Sequence, residues 1–336
     1  MRKEELQFEY PEDLVATEPR RPSRVMWASP SPREISLDDL VEKFERGDLL
    51  VINETHVLKR RVFAGEREIL FLREVSPRVW EVLFPSRDVK IGQSLELPEG
   101  RQMKLLEKGR PQRVEIDADL DAGYFERQGE VPLPPYIQKA RGARHAQAQD
   151  DSWYQIFWAR QAGSLAAPTA SLHFTPAHFE RLRSRGVRIE PVTLHVGLGT
   201  FLPVTADDLR DHVMHFEDVE IPSATWAAVL EVRLAGGRVW ALGTTVARTL
   251  ESATAGKLLP GSAGLAFKGS TDLFITPGFQ WRVVDRLLTN FHQPESTLLA
   301  LVASFAGLSK VRAAYQWAIE NRFRLFSYGD LSVWSK

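Results

Sequence analysis

The sequence predicts an α/β protein: a barrel-like, mostly parallel α/β domain carrying an inserted small antiparallel β-barrel. Three observations predict this. From about Trp153 onward, strand-like runs alternate with helical ones, and repeated β-loop-α units imply a parallel sheet covered by helices. From about residue 61 to 130 there are instead short strand-like runs broken by turn signals, the pattern of a small barrel or sandwich. Ahead of them, LLVIN (49–53) reads as a buried strand that belongs with the later units. The expected division is 1–60 with 152–336 for the α/β domain, and 61–151 for the insertion.

Taken in order, SLDDLVEKFERGD reads as a short helix before LLVIN. EILFLRE, VWEVLF and RVEID supply strands of the insertion, separated by Ser76-Pro77, Gly92, Pro98-Glu99-Gly100 and Gly109-Arg110-Pro111. PLPPYI (132–137) is expected to be stiff and extended, and 138–152 to be a polar loop. Thr175-Pro176 is an N-cap followed by N1, and Gly186 stands at a C′ position, so FTPAHFERLRSRG is a helix. PVTLHVG follows as a strand. RVWALG then TTVARTLESA make a strand and helix, DLFITPG a short strand, and RLLTNFHQ leads into the apolar helix PESTLLALVASFAG.

Composition narrows the class. At 336 residues with 43% hydrophobic and 26% charged residues, the chain is ordinary globular protein of about two domains. It has no cysteine, which excludes disulfides, thiolate nucleophiles, iron–sulfur clusters and Cys-based zinc sites. A net charge of −1 means that any nucleic acid would be bound through local patches. The N-terminus lacks a signal-type apolar region, and the longest apolar stretch, Leu298 to Leu308, is interrupted by Ser304 and Gly307. A cytoplasmic protein with no membrane partner is expected.

Chemistry in α/β folds sits at the C-terminal ends of strands. In VTLHVGLGTF, period two puts Thr193, His195 and Gly197 on one face, running into Gly199 and Thr200. This is either a polar site with glycines admitting a ligand, or a core histidine and a turn. Gly243-Thr244-Thr245 opens a helix carrying Arg248; the junction either holds an anion or merely caps the helix. Asn290, His292 and Ser296 surround the Pro294 helix start, His173 precedes a capped helix, and Tyr328 and Asp330 close the chain in SYGD. His212, His215 and Glu217 raise a metal site, but the spacing is not HExxH. The basic runs Lys59-Arg60-Arg61, Lys139/Arg141/Arg144 and Arg181/Arg183/Arg185 are ordinary solvated faces or, taken together, a track for a phosphate backbone.

Taken jointly, the motifs resemble the S-adenosylmethionine:tRNA ribosyltransferase-isomerase family of queuosine biosynthesis. The matching runs are AAPTASLHFT, VTLHVGLGTFLPV, HVMHFE, GTTVARTLES, TDLFITPG, VDRLLTNFHQPESTL and FSYGD, with YPEDLVATEP, GDLLVINETHV and PLPPYI upstream. The resemblance implies the fold already read. It also implies transfer of the ribosyl part of S-adenosylmethionine to the aminomethyl group of a 7-deazaguanine at the tRNA wobble position. The sugar becomes an epoxycyclopentanediol, and adenine and methionine leave. S-adenosylmethionine is then a co-substrate, with no cofactor and no metal, and the enzyme is expected to be a monomer.

Such a reaction needs a base at the carbon beside the sulfonium and a proton donor for adenine. The expected acid/base residues are His195 and His173, then His215 and Glu217, with Asp330 also in the site. Phe174, Phe201 and Tyr328 are candidates to face the sulfonium. Thr244, Thr245 and Arg248 are candidates for the methionine carboxylate, and Asn290, His292 and Asp330 for the extruded base. Thr193, Gly197, Gly199, Thr200 and Ser296 complete the expected site. The sequence departs from the usual motifs at Ser171 (usually Gly), Glu54 and His56 (usually Asp and Arg), Val246-Ala247, Gln293, and Leu331-Ser332. Two rival readings are a catalytically inactive tRNA-binding homologue and a metal-dependent hydrolase using His212, His215 and Glu217.

Overall fold

The computed structural model describes residues 1–197, 199, 206–262 and 264–336. Thr200 and Phe201 lie outside the described residues. The chain opens with β1 (Val25–Trp27), β2 (Arg33–Ile35), α1 (Leu37–Glu42), β3 (Leu49–Asn53) and β4 (Thr55–Val57). The insertion supplies β5 (Arg61–Ala64), β6 (Arg67–Ser76), β7 (Val79–Leu83), β8 (Ser94–Glu96), β9 (Gln102–Glu107), β10 (Gln112–Ile116) and α2 (Ala122–Gln128). Then follow α3 (Pro135–Arg141), α4 (Asp150–Trp153), β11 (Gln161–Ser164), α5 (Pro176–Ser184), β12 (Arg188–Leu194), β13 (Glu217–Pro222) and α6 (Ser223–Leu234). The chain ends with β14 (Val239–Leu242), α7 (Thr244–Thr254), β15 (Leu259–Pro260), β16 (Leu265–Thr271), β17 (Arg286–Asn290), α8 (Thr297–Ala306), α9 (Leu308–Glu320) and β18 (Leu331–Ser335).

The expected α/β architecture with an inserted antiparallel sheet is what the chain adopts. The large sheet has ten strands in the order β15-β16-β13-β12-β3-β14-β17-β18-β1-β2. Its centre, β12-β3-β14-β17, is parallel. The sheet is mixed rather than mostly parallel, because β13 and β16 pair antiparallel beyond β12. On the other side β18 returns antiparallel to β17, since two helices rather than one separate them. The insertion forms a six-stranded antiparallel sheet, β5-β6-β7-β10-β9-β8. It closes over its own core of Val62, Phe71, Trp80, Met103 and Val114.

Three local readings are corrected. PLPPYI is extended only to Pro134; Pro135 starts α3, because a proline at N1 has no N–H to lose. The expected loop 138–152 is therefore partly helical, and Val131, Leu133 and Ile137 share a core with Val57, Leu172 and Tyr328. DLFITPG is not a strand. The strand is the preceding LAFKGST, whose mixed burial hides it from a hydrophobic pattern. The α5 reading holds as expected: Thr175 caps, Pro176 is N1, and Gly186 takes φ +82°.

The ends of the central strands are stapled together. Asn53, fully buried at the end of β3, receives Leu194 N–H on its Oδ1 (3.2 Å) and donates to Leu194 O (3.0 Å) and Thr245 Oγ1 (3.4 Å). One amide thus registers the ends of β3 and β12 against the start of α7.

Candidate functional site

A cleft of about 470 Å³ opens at these strand ends. The segment after β12 contributes Val196 and Gly199, and the segment before β13 contributes His212, Met214, His215 and then Glu217. The β14–α7 junction contributes Gly243, Thr244, Thr245 and Arg248. The β17–α8 connection contributes Thr289 through Leu298, including Asn290, His292 and Ser296. Tyr136, Tyr154, Phe326 and Ser327 form a further wall.

Arg248 and Glu217 make the charged centre. Both are about 6% exposed. Glu217 accepts from Arg248 Nη1 through one oxygen and from Gly197 N–H (3.2 Å) through the other. Arg248 Nε donates to Leu273 O (3.3 Å), and its Nη2 is buried with no partner among the described residues. A buried guanidinium N–H left without an acceptor is costly, which makes this atom a candidate receptor for an anionic or carbonyl oxygen. Gly243, at φ +101°, turns the chain so that α7 starts at the cleft.

The other polar groups are more committed. Asn290 is 2% exposed and donates through Nδ2 to Phe326 O (3.0 Å) and Ser327 O (3.3 Å). His292 has Nε2 at 2.8 Å from Thr289 Oγ1, and burial lowers its pKa to about 3. Ser296 caps α8, accepting from Leu299 N–H (3.2 Å). His212 is lowered by burial and by the neighbouring His215. Gly199 stands against His215, whose Cβ is 3.4 Å from where a Cβ on residue 199 would lie.

Several expected residues do not line the cleft. His195 points off the opposite face of its chain, with Nδ1 2.7 Å from Thr55 Oγ1 and its ring against Gly163. Burial lowers its pKa, with Asp218 and Glu220 opposing. Thr193 is buried on β12 opposite Glu220. His173 is fully enclosed: Nδ1 lies 2.7 Å from Ser23 Oγ, and burial lowers its pKa to about 4 against the raising influence of Asn290. Asp330 accepts Arg24 N–H (3.2 Å) and Arg324 N–H (2.8 Å), and burial raises its pKa. Tyr328 donates to Asp150 Oδ1 (2.8 Å), and Phe174 belongs to a core cluster. These groups brace the loops around the cleft.

Sequence reasoning missed Tyr136, Tyr154, Thr289 and Ser327. PLPPYI is among the family-matching runs and reads as stiff and extended, but nothing local in it shows that Tyr136 meets Ser327. Most cations of the three basic runs are ion-paired within the chain, and Arg60 lies over the Trp80 and Phe125 rings. Lys59 pairs with Asp151 (2.7 Å), Arg61 with Glu130 (2.6 Å), Lys139 with Glu12 (2.8 Å) and Arg141 with Asp150 (2.6 Å). Arg181 and Arg185 pair with Glu42. Among the described residues no three His, Asp or Glu side chains gather as metal ligands would; Glu217 is spent on Arg248 and Gly197 instead.

Comparison with known proteins places the whole chain. A family model described as "Queuosine biosynthesis protein" matches residues 3–333. The chain belongs to this family. A relative from Syntrophotalea carbinolica is 42% identical over 98% of both chains. Another, from Rubrobacter xylanophilus, is 43% identical over 98% of this chain and 96% of that one. Both are named S-adenosylmethionine:tRNA ribosyltransferase-isomerase. The crystal structure of S-adenosylmethionine tRNA ribosyltransferase from Thermotoga maritima matches over 98% of this chain and 99% of that one, at 31% identity and a TM-score of 0.55.

Proposed function

We propose that this family member is an S-adenosylmethionine:tRNA ribosyltransferase-isomerase. It moves the ribosyl moiety of S-adenosylmethionine to the 7-aminomethyl-7-deazaguanine at the tRNA wobble position and isomerises it to the epoxide product. Adenine and methionine are released. Full-length relatives at about 40% identity carry that name, and the cleft fits the chemistry. Its volume suits a nucleoside-sized ligand.

The observation that carries the reading is Arg248 beside the start of α7, its Nη2 buried and without a partner among the described residues. A buried guanidinium at a helix N-terminus is a receptor for a carboxylate, here that of the methionine part. Of the histidines, His212, His215 and His292 line the cleft, and His292 is held on Thr289. His215 is therefore the proposed base for the carbon beside the sulfonium, in place of His195 and His173. Val213 and Phe216 are 81% and 68% exposed next to it, and Phe216 gives a nucleotide flanking the extruded base a ring to stack on. The enzyme would act as a cytoplasmic monomer, without metal or cofactor. The test is incubation of the purified protein with S-adenosylmethionine and tRNA bearing the aminomethyl base. Adenine and methionine should appear only when that tRNA is present; none under any condition would refute the reading.

A further inference from the structure

We infer that Tyr136 is the ring that recognises the sulfonium charge of the co-substrate, and that it gives the cleft its preference for a sulfonium over a neutral thioether. The inference rests on the reading above and names a subsite within it.

A sulfonium needs no hydrogen-bond acceptor; it needs an electron-rich surface in a water-poor place, which an aromatic face supplies. Among the described residues, four Tyr or Phe side chains line the cleft: Tyr136, Tyr154, Phe291 and Phe326. Tyr154 and Phe291 are each 1% exposed and Phe326 2%, so their rings are covered by protein. Tyr136 is half-buried, the one ring of these four, among the described residues, with surface left for a ligand.

That ring is also held rigidly. Pro134 and Pro135 precede it, and it sits in the first turn of α3. Its hydroxyl lies 2.5 Å from Ser327 Oγ. Phe326 meets it edge-on, with centroids 5.1 Å apart at 62°. Phe326 itself is kept at φ +71°, where few non-glycine residues stay without support. Gly329 N–H donates to its carbonyl (2.9 Å), as does Asn290 Nδ2 (3.0 Å). The structure thus fixes a ring that the ligand would otherwise have to order. Burial pushes the Tyr136 phenol up to about 12, so the side chain meets a cation as a neutral ring.

Two carboxylates in the cleft are the competing readers of the positive charge. Glu217 has both oxygens engaged by Arg248 and Gly197. Glu295 lies 3.9 Å from Lys3 Nζ and is partly open. The experiment must therefore separate ring from carboxylate.

The full-length enzyme is titrated calorimetrically with S-adenosylmethionine and with its neutral analogue S-adenosylhomocysteine. The wild type should prefer the sulfonium. Tyr136→Leu should lose that preference by roughly 3–30-fold, Tyr136→Phe should keep it, and Glu295→Gln should leave it unchanged. Should the Leu variant unfold, phenylalanine bearing one, two or three ring fluorines at position 136 keeps the shape while draining the ring's negative face. Sulfonium affinity should then fall stepwise and thioether affinity should not. A ratio indifferent to fluorination, or one abolished by Glu295→Gln, overturns the inference. An enzyme that turns over normally with an unaltered ratio refutes the Tyr136 assignment alone. A wild type that binds neither compound refutes the parent reading.

Discussion

Arg248 pairs with Glu217 and is proposed to receive a carboxylate, and a double substitution can separate the two. Replacing it by Met keeps most of the volume but leaves Glu217 as a buried carboxylate whose remaining donor is the Gly197 N–H. Breaking a buried pair from one side costs about 3–5 kcal/mol. Replacing both, as Arg248→Met with Glu217→Leu, removes the stranded charge, and most of that stability should return. Binding should behave differently. The carboxylate of S-adenosylmethionine would lose a charge-assisted hydrogen bond of about 1.5–3 kcal/mol in both variants, a fall of roughly 10–150-fold in affinity. Denaturant unfolding measures the first effect and calorimetric titration the second. If the double variant recovers both stability and affinity, the guanidinium is only a structural partner of Glu217 and the carboxylate assignment is wrong. Wild-type affinity in Arg248→Met would refute it directly.

Phe216→Ala should raise KM for tRNA about 5–150-fold, the worth of one stacked base, with S-adenosylmethionine binding unchanged; equal KM values for Ala and wild type would exclude stacking. His173 and His292 are held neutral by burial, to about 4 and about 3, below their ordinary value. The unfolded chain therefore takes up protons first, so stability should fall as pH drops below about 6.5, by up to ~1.4 kcal/mol per pH unit for each. His173→Gln should flatten that slope in unfolding measurements, and an unchanged slope would show that His173 carries no part of it. Ser171→Ala should stabilise the fold by about 1 kcal/mol, because the Ser171 hydroxyl is buried without a partner among the described residues. A destabilised Ala variant would mean the hydroxyl has a role in the wall of the cleft.

The large features were legible because local chemistry and tertiary demand agree. Thr175-Pro176 and Gly186 marked α5 at both ends, and LLVIN, buried on every residue, marked a strand covered on both faces. LAFKGST was not legible: it pairs between β13 and the short β15 with only Thr271 fully buried, so no apolar face announces it. The antiparallel return of β18 was hidden too, since counting units does not reveal that α8 and α9 together carry the chain back. Arg248, Thr244 and Glu217 could be read because a helix start and a charge pair are local or chemical signals. Tyr136 and Ser327 could not, since their meeting depends on a separation of 191 residues.

His195 shows where period-two reasoning stops. Alternation correctly puts Val196 on the face opposite His195, but it does not say which face is the cleft. Val196 lines the cleft, while His195 lies across from it against Thr55 and Gly163. His173 repeats the lesson in another form: it is enclosed, with Ser23 beside Nδ1 and no partner for Nε2 among the described residues. Asn290 holds the Phe326–Ser327 turn, and that turn braces Tyr136. A buried side chain in a motif can thus shape the site through the turn it holds. Asn290→Ala would then act on the cleft through the Phe326–Ser327 turn and Tyr136, loosening the wall while leaving the proton-transfer limb of the pH–rate profile where it was.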